Sequence, residues 1–432
     1  MTPTTVAELV ARRAADPAQL ADAVAAAARQ SQYADLLPWR PASLAMGHAG
    51  IAVLCAEMDR REPGGGWDRA GHHHLAVAVA GTTPYDVSLF SGLAGVGFAA
   101  ALLAAGRPRY TRLLRTVDAT LAPTVERAAS RLAVADGCAA HDYDLVSGLT
   151  GMGVYLLAQY QLSPRSARGE PGETLTRALS TLARLLGYPD YPRRWHTPVD
   201  LAAGSLRESY PSGHHNCGLA HGVAGPLALL SIGLIEGIEV PEGRAAIDVT
   251  AGWLIEQRTG TWQEPDWPDA VPLDQAEPLP AGEPPGRAAW CYGAPGVARS
   301  LWLAGTAVDR ADWRELAART IRAVARRPSE MWWLSTPTFC HGRAGLLQVL
   351  RRFAEDLADP SLAATADVLA ADLAAEYDPA SVLGVRSVEP EGVLVDHPGL
   401  LDGAPGVALA LLGLAGDDGR PQAGWDRMFL LS

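Results

Sequence analysis

An all-α fold, an α/α toroid of about seven helical hairpins in inner and outer layers, is predicted by three features of the 432-residue sequence. A Gly-x-x-Gly phrase recurs along its length. Each recurrence runs into an apolar stretch rich in Ala and Leu, and the segments between carry apolar residues at three- and four-residue spacing among charges.

The phrase appears as Met46-Gly47-His48-Ala49-Gly50, Ser91-Gly92-Leu93-Ala94-Gly95 and Ser147-Gly148-Leu149-Thr150-Gly151. It returns as His221-Gly222-Val223-Ala224-Gly225, Tyr292-Gly293-Ala294-Pro295-Gly296, His341-Gly342-Arg343-Ala344-Gly345 and Asp402-Gly403-Ala404-Pro405-Gly406. Successive first glycines are 45, 56, 74, 71, 49 and 61 residues apart, enough each time for two helices and their connections. Runs such as Gly97-Phe98-Ala99-Ala100-Ala101-Leu102-Leu103 and Val407-Ala408-Leu409-Ala410-Leu411-Leu412 read as buried inner helices. Arg112 to Leu121 and Trp313 to Arg322 read as amphipathic outer ones. Helices converging on an axis crowd at one end, where a residue without a Cβ lets backbones approach and leaves the first N–H groups available. The same hairpins could stack into an open solenoid. Closure is preferred because residue types suited to chemistry sit at the Gly steps of separate repeats, and a line would spread them apart.

Composition narrows the class. Apolar residues make up 48% and charged residues 19%, which argues against disorder, and no uncharged apolar run approaches the roughly 18 to 20 residues that cross a bilayer. Met1 to Arg12 lacks the pattern of a signal peptide, and five widely spaced cysteines do not resemble a secreted disulfide framework. The expected location is therefore the cytoplasm, including the periphery of a membrane-associated biosynthetic complex. A net charge of -12 without any basic run argues against a nucleic-acid partner.

Three connections are irregular. Thr261 to Gly286 holds seven prolines and six acidic residues, among them Asp266, Asp269 and Asp274, with no base to balance them, and reads as an unpacked acidic rim loop or lid. Tyr188 to His215 leads into His221, with His214 and His215 expected at the entrance, and Ser163 to Gly172 reads as an outer linker. His72-His73-His74 falls after Gly64-Gly65-Gly66, away from any Gly step, and reads as a solvated linker.

Two Gly steps carry soft metal ligands: Cys291 in Ala289-Trp290-Cys291-Tyr292-Gly293, and Cys340 with His341 in Phe339-Cys340-His341-Gly342. Two thiols and an imidazole make three ligands, the usual count for a catalytic zinc that keeps a fourth position open. Adjacent ligands can face one ion only outside regular helix, since helical neighbours diverge by about 100°. Spacing alone also allows both thiols to be core residues. His221 precedes another step and is either a satisfied core histidine or an acid or base near neutral pH. Cys217, four residues before it, makes a rival ligand pair, which Gly218 disfavours. Asp144, before the third step, reads singly as an N-cap worth about 1 kcal/mol, and Arg287 as a solvated loop residue. Tyr292 is either core or a hydrogen-bond donor beside the metal.

Together these motifs, above all Trp290-Cys291-Tyr292-Gly293, Cys340-His341-Gly342 and Gly218-Leu219-Ala220-His221-Gly222, resemble those of the lanthionine synthetase C-like family, the lanthipeptide cyclases, across nearly the whole chain. The resemblance implies one α/α-toroid cyclase domain over residues 1–432, with one zinc ion held by Cys291, Cys340 and His341. It implies addition of a peptide cysteine thiol to dehydroalanine or dehydrobutyrine, closing a (methyl)lanthionine thioether ring. His221 then matches the acid or base, Asp144 and Arg287 the residues that orient it or stabilise the enolate, and Tyr292 the active-site tyrosine. The partner implied is a dehydrated precursor peptide. Only 46 residues precede the first step, so a separate dehydratase is expected. Arg343 departs from the apolar or aromatic residue that relatives often carry. Three other readings stay open: a transferase adding a thiol such as glutathione to dehydroamino acids, a carbohydrate-active α/α barrel using Asp144 and Asp402 as its carboxylate pair, and a metal-stabilised scaffold that docks partners without chemistry.

Overall fold

The computed structural model of the chain describes residues 1–34, 38–162, 169–190, 193–202, 204–274, 285–413 and 424–432. It divides into two compact units, Met1–Val117 with Leu334–Trp425, and Asp118–Trp333 with Asp426–Ser432.

The first unit begins with α1 (Pro3–Ala15), α2 (Pro17–Gln30), α3 (His48–Arg61), α4 (Trp67–Ala80) and α5 (Leu93–Ala104), and the division falls inside α6 (Thr111–Val134). The second holds α7 (Ala140–Tyr143), α8 (Leu149–Leu162), α9 (Gly169–Leu186), α10 (Ser205–Ser209), α11 (Ala224–Ile235), α12 (Gly243–Glu256), α13 (Ala294–Ala307) and α14 (Ala311–Arg326). The first unit ends with α15 (Arg343–Leu357), α16 (Pro360–Ala375) and α17 (Ala404–Leu412). Strands are short: β1 (His214–Asn216) pairs antiparallel with β4 (Ala270–Pro272), and β2 (Thr259–Gly260) with β3 (Pro265–Asp266).

Seven helices, α3, α5, α8, α11, α13, α15 and α17, start within two residues of the first glycine of a Gly step. Most are buried almost all round, as α5 and α11 show, so they form an inner layer. Outer helices are one-sided; α14 buries Trp313, Leu316, Ile321 and Val324 while Asp312, Glu315 and Arg326 face water. The sequence reading leaves the N-terminal segment unassigned, and the structure gives it a task. Helix α1 packs on α17 and α3, supplying an outer partner for the last inner helix. Asp16 caps α2 by accepting from the Ala18 and Gln19 N–H groups.

The glycines are required by a tighter geometry than helix convergence. The chain doubles back before α3, α5, α11, α13 and α17, so the carbonyl of the residue six before the step's second glycine lies where a Cβ would stand. Gly296 meets the Trp290 carbonyl, Gly406 that of Leu400 and Gly95 that of Leu89. The residue after the first glycine donates seven residues back, from Leu93 to Asp86, Val223 to Asn216, Arg343 to Thr336 and Ala404 to His397. Successive steps are then laced together within each unit. In the first, the Cys340 N–H donates to the Leu401 carbonyl (3.0 Å), Leu401 to Ala45 (3.2 Å) and Ala45 to Phe90 (2.9 Å). In the second, Leu145 donates to Ala220 (3.1 Å) and Leu219 to Cys291 (2.9 Å). Elements far apart in sequence are thereby held at neighbouring positions by backbone groups alone.

Three expectations are corrected. His72, His73 and His74 lie in α4, not in a linker, and His74 is fully buried, hydrogen-bonded to His48 Nδ1 (2.9 Å) and to the Ala15 carbonyl (3.1 Å). Residues 261–274 of the acidic stretch include packed elements, β3 and β4, and Asp266 is buried and paired with Arg327 at 3.2 Å. A buried indole, Trp267, donates from Nε1 to the Leu254 carbonyl (2.7 Å) and anchors the segment. Residues 275–284, with Glu277, Pro278, Pro280, Glu283 and Pro284, lie outside the described residues, as do residues 163–168 of the expected outer linker. His214 and His215 are buried in β1 instead of lining an entrance, and burial lowers the His215 imidazole to about 3.

Candidate functional site

In the second unit the turn before α8 carries Asp144, whose carboxylate is 2% exposed and fully used. Its Oδ1 accepts from the N–H groups of Ser147 (2.7 Å) and Gly148 (2.8 Å), while Oδ2 accepts from His221 Nδ1 (2.7 Å). Asp144 therefore does not cap α8, which starts at Leu149; one of its oxygens closes the turn before that helix and the other accepts from His221. An acceptor-only carboxylate at Nδ1 makes His221 the Nδ1–H tautomer, with Nε2 carrying the free lone pair. The His221 side chain is 43% exposed, so that lone pair is reachable.

The irregular segment before α13 lies against the His221 step, since the Cys291 carbonyl accepts from Leu219 (2.9 Å) and Ala220 (3.3 Å). Behind it Trp290 is fully buried; its indole donates to the Phe429 carbonyl (2.9 Å) and its ring meets Phe429 edge to face at 4.8 Å. This C-terminal support of the segment that carries Cys291 has no counterpart in the motif reading. Tyr292 sits over Gly218, where a Cβ would come within 2.6 Å of its ring, and 6.4 Å from the His221 ring. Burial raises the Tyr292 phenol above its ordinary value, so it is protonated near neutral pH. Arg287 is exposed, and among the described residues no hydrogen bond or ion pair joins it to His221, Asp144 or Tyr292. Cys217 is fully buried, and desolvation pushes its thiol up, which suits a core residue and not a ligand.

In the first unit Cys340 and His341 precede Gly342 outside regular helix, as adjacent ligands require. His341 is 46% exposed, with Nδ1 3.8 Å from Asp402 Oδ1, a buried oxygen without a hydrogen-bond partner. A carboxylate beside the outer nitrogen of an imidazole is the usual arrangement for a metal-binding histidine. Arg343 forms a two-point ion pair with Glu376, its second contact at 3.0 Å, which accounts for a cation at that place. Among the described residues one group of three histidine, cysteine or acidic side chains could hold a metal ion, and it is Cys291, Cys340 and His341. Two thiolates and an imidazole fit zinc in composition.

Asn216 escaped the sequence reading. It stands six residues before Gly222, the repeat position that Arg287 occupies before Gly293, so aligning the steps by that offset would have marked it.

These features define a helical-repeat protein whose Gly steps carry thiol, imidazole and phenol groups. Residues 38–430 match the family described as lanthionine synthetase C-like protein, and the chain belongs to that family. It is 22% identical over 320 residues to the nisin biosynthesis protein NisC of Lactococcus lactis subsp. lactis, covering 72% of this chain and 73% of that one. It is also similar to the solved structure of nisin cyclase, with a TM-score of 0.72 and 21% identity over 95% of this chain and 97% of the other. That likeness shows the all-α, α/α-toroid fold expected from the repeats.

Proposed function

We infer that the chain is a zinc-dependent lanthipeptide cyclase, one catalytic domain that closes thioether rings in a dehydrated precursor peptide. The observation that carries this reading is the donor set Cys291, Cys340 and His341 in a chain of this family. One zinc ion held there would make a peptide thiol react as its thiolate near neutral pH.

The remaining chemistry falls to the chain's own groups. The thiol sulfur forms a bond to the β-carbon of a dehydroalanine or dehydrobutyrine, and the electron pair of the double bond moves toward the carbonyl. The α-carbon then takes a proton, so the peptide gains a ring and keeps its mass. His221, with Nδ1–H committed to Asp144, carries that proton on Nε2. Tyr292 donates to the substrate carbonyl oxygen as charge develops there, and Arg287 supplies a positive charge for the same oxygen. The dehydration itself belongs to a separate protein, and the expected location is cytoplasmic. Among the described residues no helix is long and apolar enough to cross a membrane.

The deciding experiment measures zinc in the purified protein and supplies a dehydrated peptide together with glutathione. The expected outcome is about one zinc per chain and a product of unchanged mass that resists thiol alkylation. A glutathione adduct, or a metal-free protein of undiminished activity, overturns the reading.

A further inference from the structure

The two groups that the proposed chemistry asks for, one proton acceptor and one proton donor, are each oriented by a neighbour. Asp144 does this for His221. We propose that Asn216 does it for Tyr292, as a positioning residue that forces the phenol oxygen to accept inside the protein and so turns the hydroxyl hydrogen toward the substrate. The inference rests on the cyclase reading for its consequence but on hydrogen-bond geometry for its content.

Asn216 ends β1 and is 1% exposed. Its Oδ1 accepts from the Gly218 N–H (3.0 Å), and its backbone carbonyl accepts from the Val223 N–H (2.9 Å). A backbone N–H can only donate, so the oxygen end of the amide faces Gly218 and the NH2 end faces Tyr292, whose hydroxyl oxygen lies 3.0 Å from Nδ2. Flipping the amide would set two donors against each other at Gly218 and leave a buried oxygen competing for the phenol hydrogen. Its Oδ1 also lies close against the Gly222 backbone, where a Cβ would collide with it. An amide NH2 cannot accept, so Tyr292 accepts from it and keeps its own hydrogen for something else. Because Asp144 fixes the opposite polarity on His221, the two rings, 6.4 Å apart, offer an acceptor nitrogen and a donor hydroxyl. A carbonyl oxygen that gathers charge while its α-carbon exchanges a proton is the substrate chemistry that such a pair serves.

Asn216→Asp tests this, because it keeps an oxygen for Gly218 and nearly the same volume but presents Tyr292 with an acceptor that captures the hydroxyl hydrogen. Tyr292→Phe and Asn216→Asp are each expected to lower kcat for ring closure about a hundredfold with KM little changed. The double variant is expected to be no slower than Tyr292→Phe alone. Multiplying effects would make Asn216 a structural residue and overturn the proposal. An independent readout needs no turnover. The ultraviolet resonance Raman difference between the unaltered protein and Tyr292→Phe isolates the Tyr292 ring doublet, expected to show an accepting hydroxyl. A purely donating hydroxyl there overturns the proposal even if Asn216→Asp fails to fold. If the unaltered protein closes no ring, the cyclase reading fails, and the Raman result still decides the role of Asn216.

Discussion

The His221 step of the second unit and the His341 step of the first use the same Gly turn for different purposes. In the second, the polar side chains are satisfied by one another: Asp144 has both oxygens engaged, His221 and Asn216 each meet a fixed partner, and Tyr292 accepts from Asn216. In the first, His341 is exposed beside an Asp402 oxygen that has no hydrogen-bond partner. The lesson is that one backbone device serves two chemistries. Where the step carries Asp, His, Asn and Tyr, the protein completes the hydrogen bonds and fixes proton positions. Where it carries Cys340 and His341, the imidazole stays exposed beside a carboxylate oxygen that makes no hydrogen bond.

The widest separation of these roles comes from cysteine. Cys340→Ala is expected to lose zinc and to reduce ring closure by about a thousandfold or more, while far-UV circular dichroism stays unchanged. Cys217→Ala removes a thiol only four residues from His221 but buried and protonated, so zinc content should hold. Equal zinc loss in both variants would erase the distinction between the two kinds of step.

Next in size is Asp144→Asn. The new amide can keep an oxygen on the Ser147 and Gly148 N–H groups, but it turns an NH2 toward His221 Nδ1 and forces the other tautomer. Ring closure should slow by about 100- to 10,000-fold at unchanged zinc content, measured by mass spectrometry of alkylated products. A loss of zinc in this variant would mean that the second unit's hydrogen bonds support the metal as well.

Much of this was legible beforehand, for identifiable reasons. The inner helices could be read because their apolar character and the Gly-x-x-Gly phrase are local, and Cys291, Cys340 and His341 because rare ligand types fell at repeat positions. The packing of Asp266 and Trp267 could not, since their partners, Arg327 and Leu254, lie 61 and 13 residues away and no period links them. His74 was hidden for the same reason: a histidine triplet looks solvated until α1 brings the Ala15 carbonyl against it. Asn216 was obscured by its plainness, being an amide whose role lies in which of its two ends faces which neighbour.

The shared backbone device can be tested without touching chemistry. Gly296→Ala puts a methyl group into the Trp290 carbonyl and should cost about 1 to 3 kcal/mol, read as a lower midpoint in urea. Gly252→Ala, within α12, meets nothing within 4 Å and should instead stabilise by about 0.5 to 1 kcal/mol. Similar losses at both would show that the steps owe their glycines to helix propensity and not to the doubled-back carbonyl.

The smallest expected effect concerns the histidine that begins α3. His48, in the first unit, faces an imidazole where His221 faces a carboxylate. His74 Nε2 lies 3.1 Å from the Ala15 carbonyl and must donate to it, so His74 Nδ1 accepts and His48 Nδ1 donates across 2.9 Å. His74, donating at one nitrogen and accepting at the other, is therefore neutral in the folded protein, and burial, with His74 and His73 nearby, lowers His48 to about 4. A histidine depressed on folding contributes stability that is present above its ordinary value near 6.5 and lost as pH falls toward about 4, because the unfolded chain takes up the proton first. The thermal midpoint should fall across that window and fall less steeply in His48→Gln, where a neutral amide keeps a donor for His74. A parallel pair of curves would place the acid sensitivity elsewhere, and the first unit would then owe nothing of its pH response to the contact between α3 and α4.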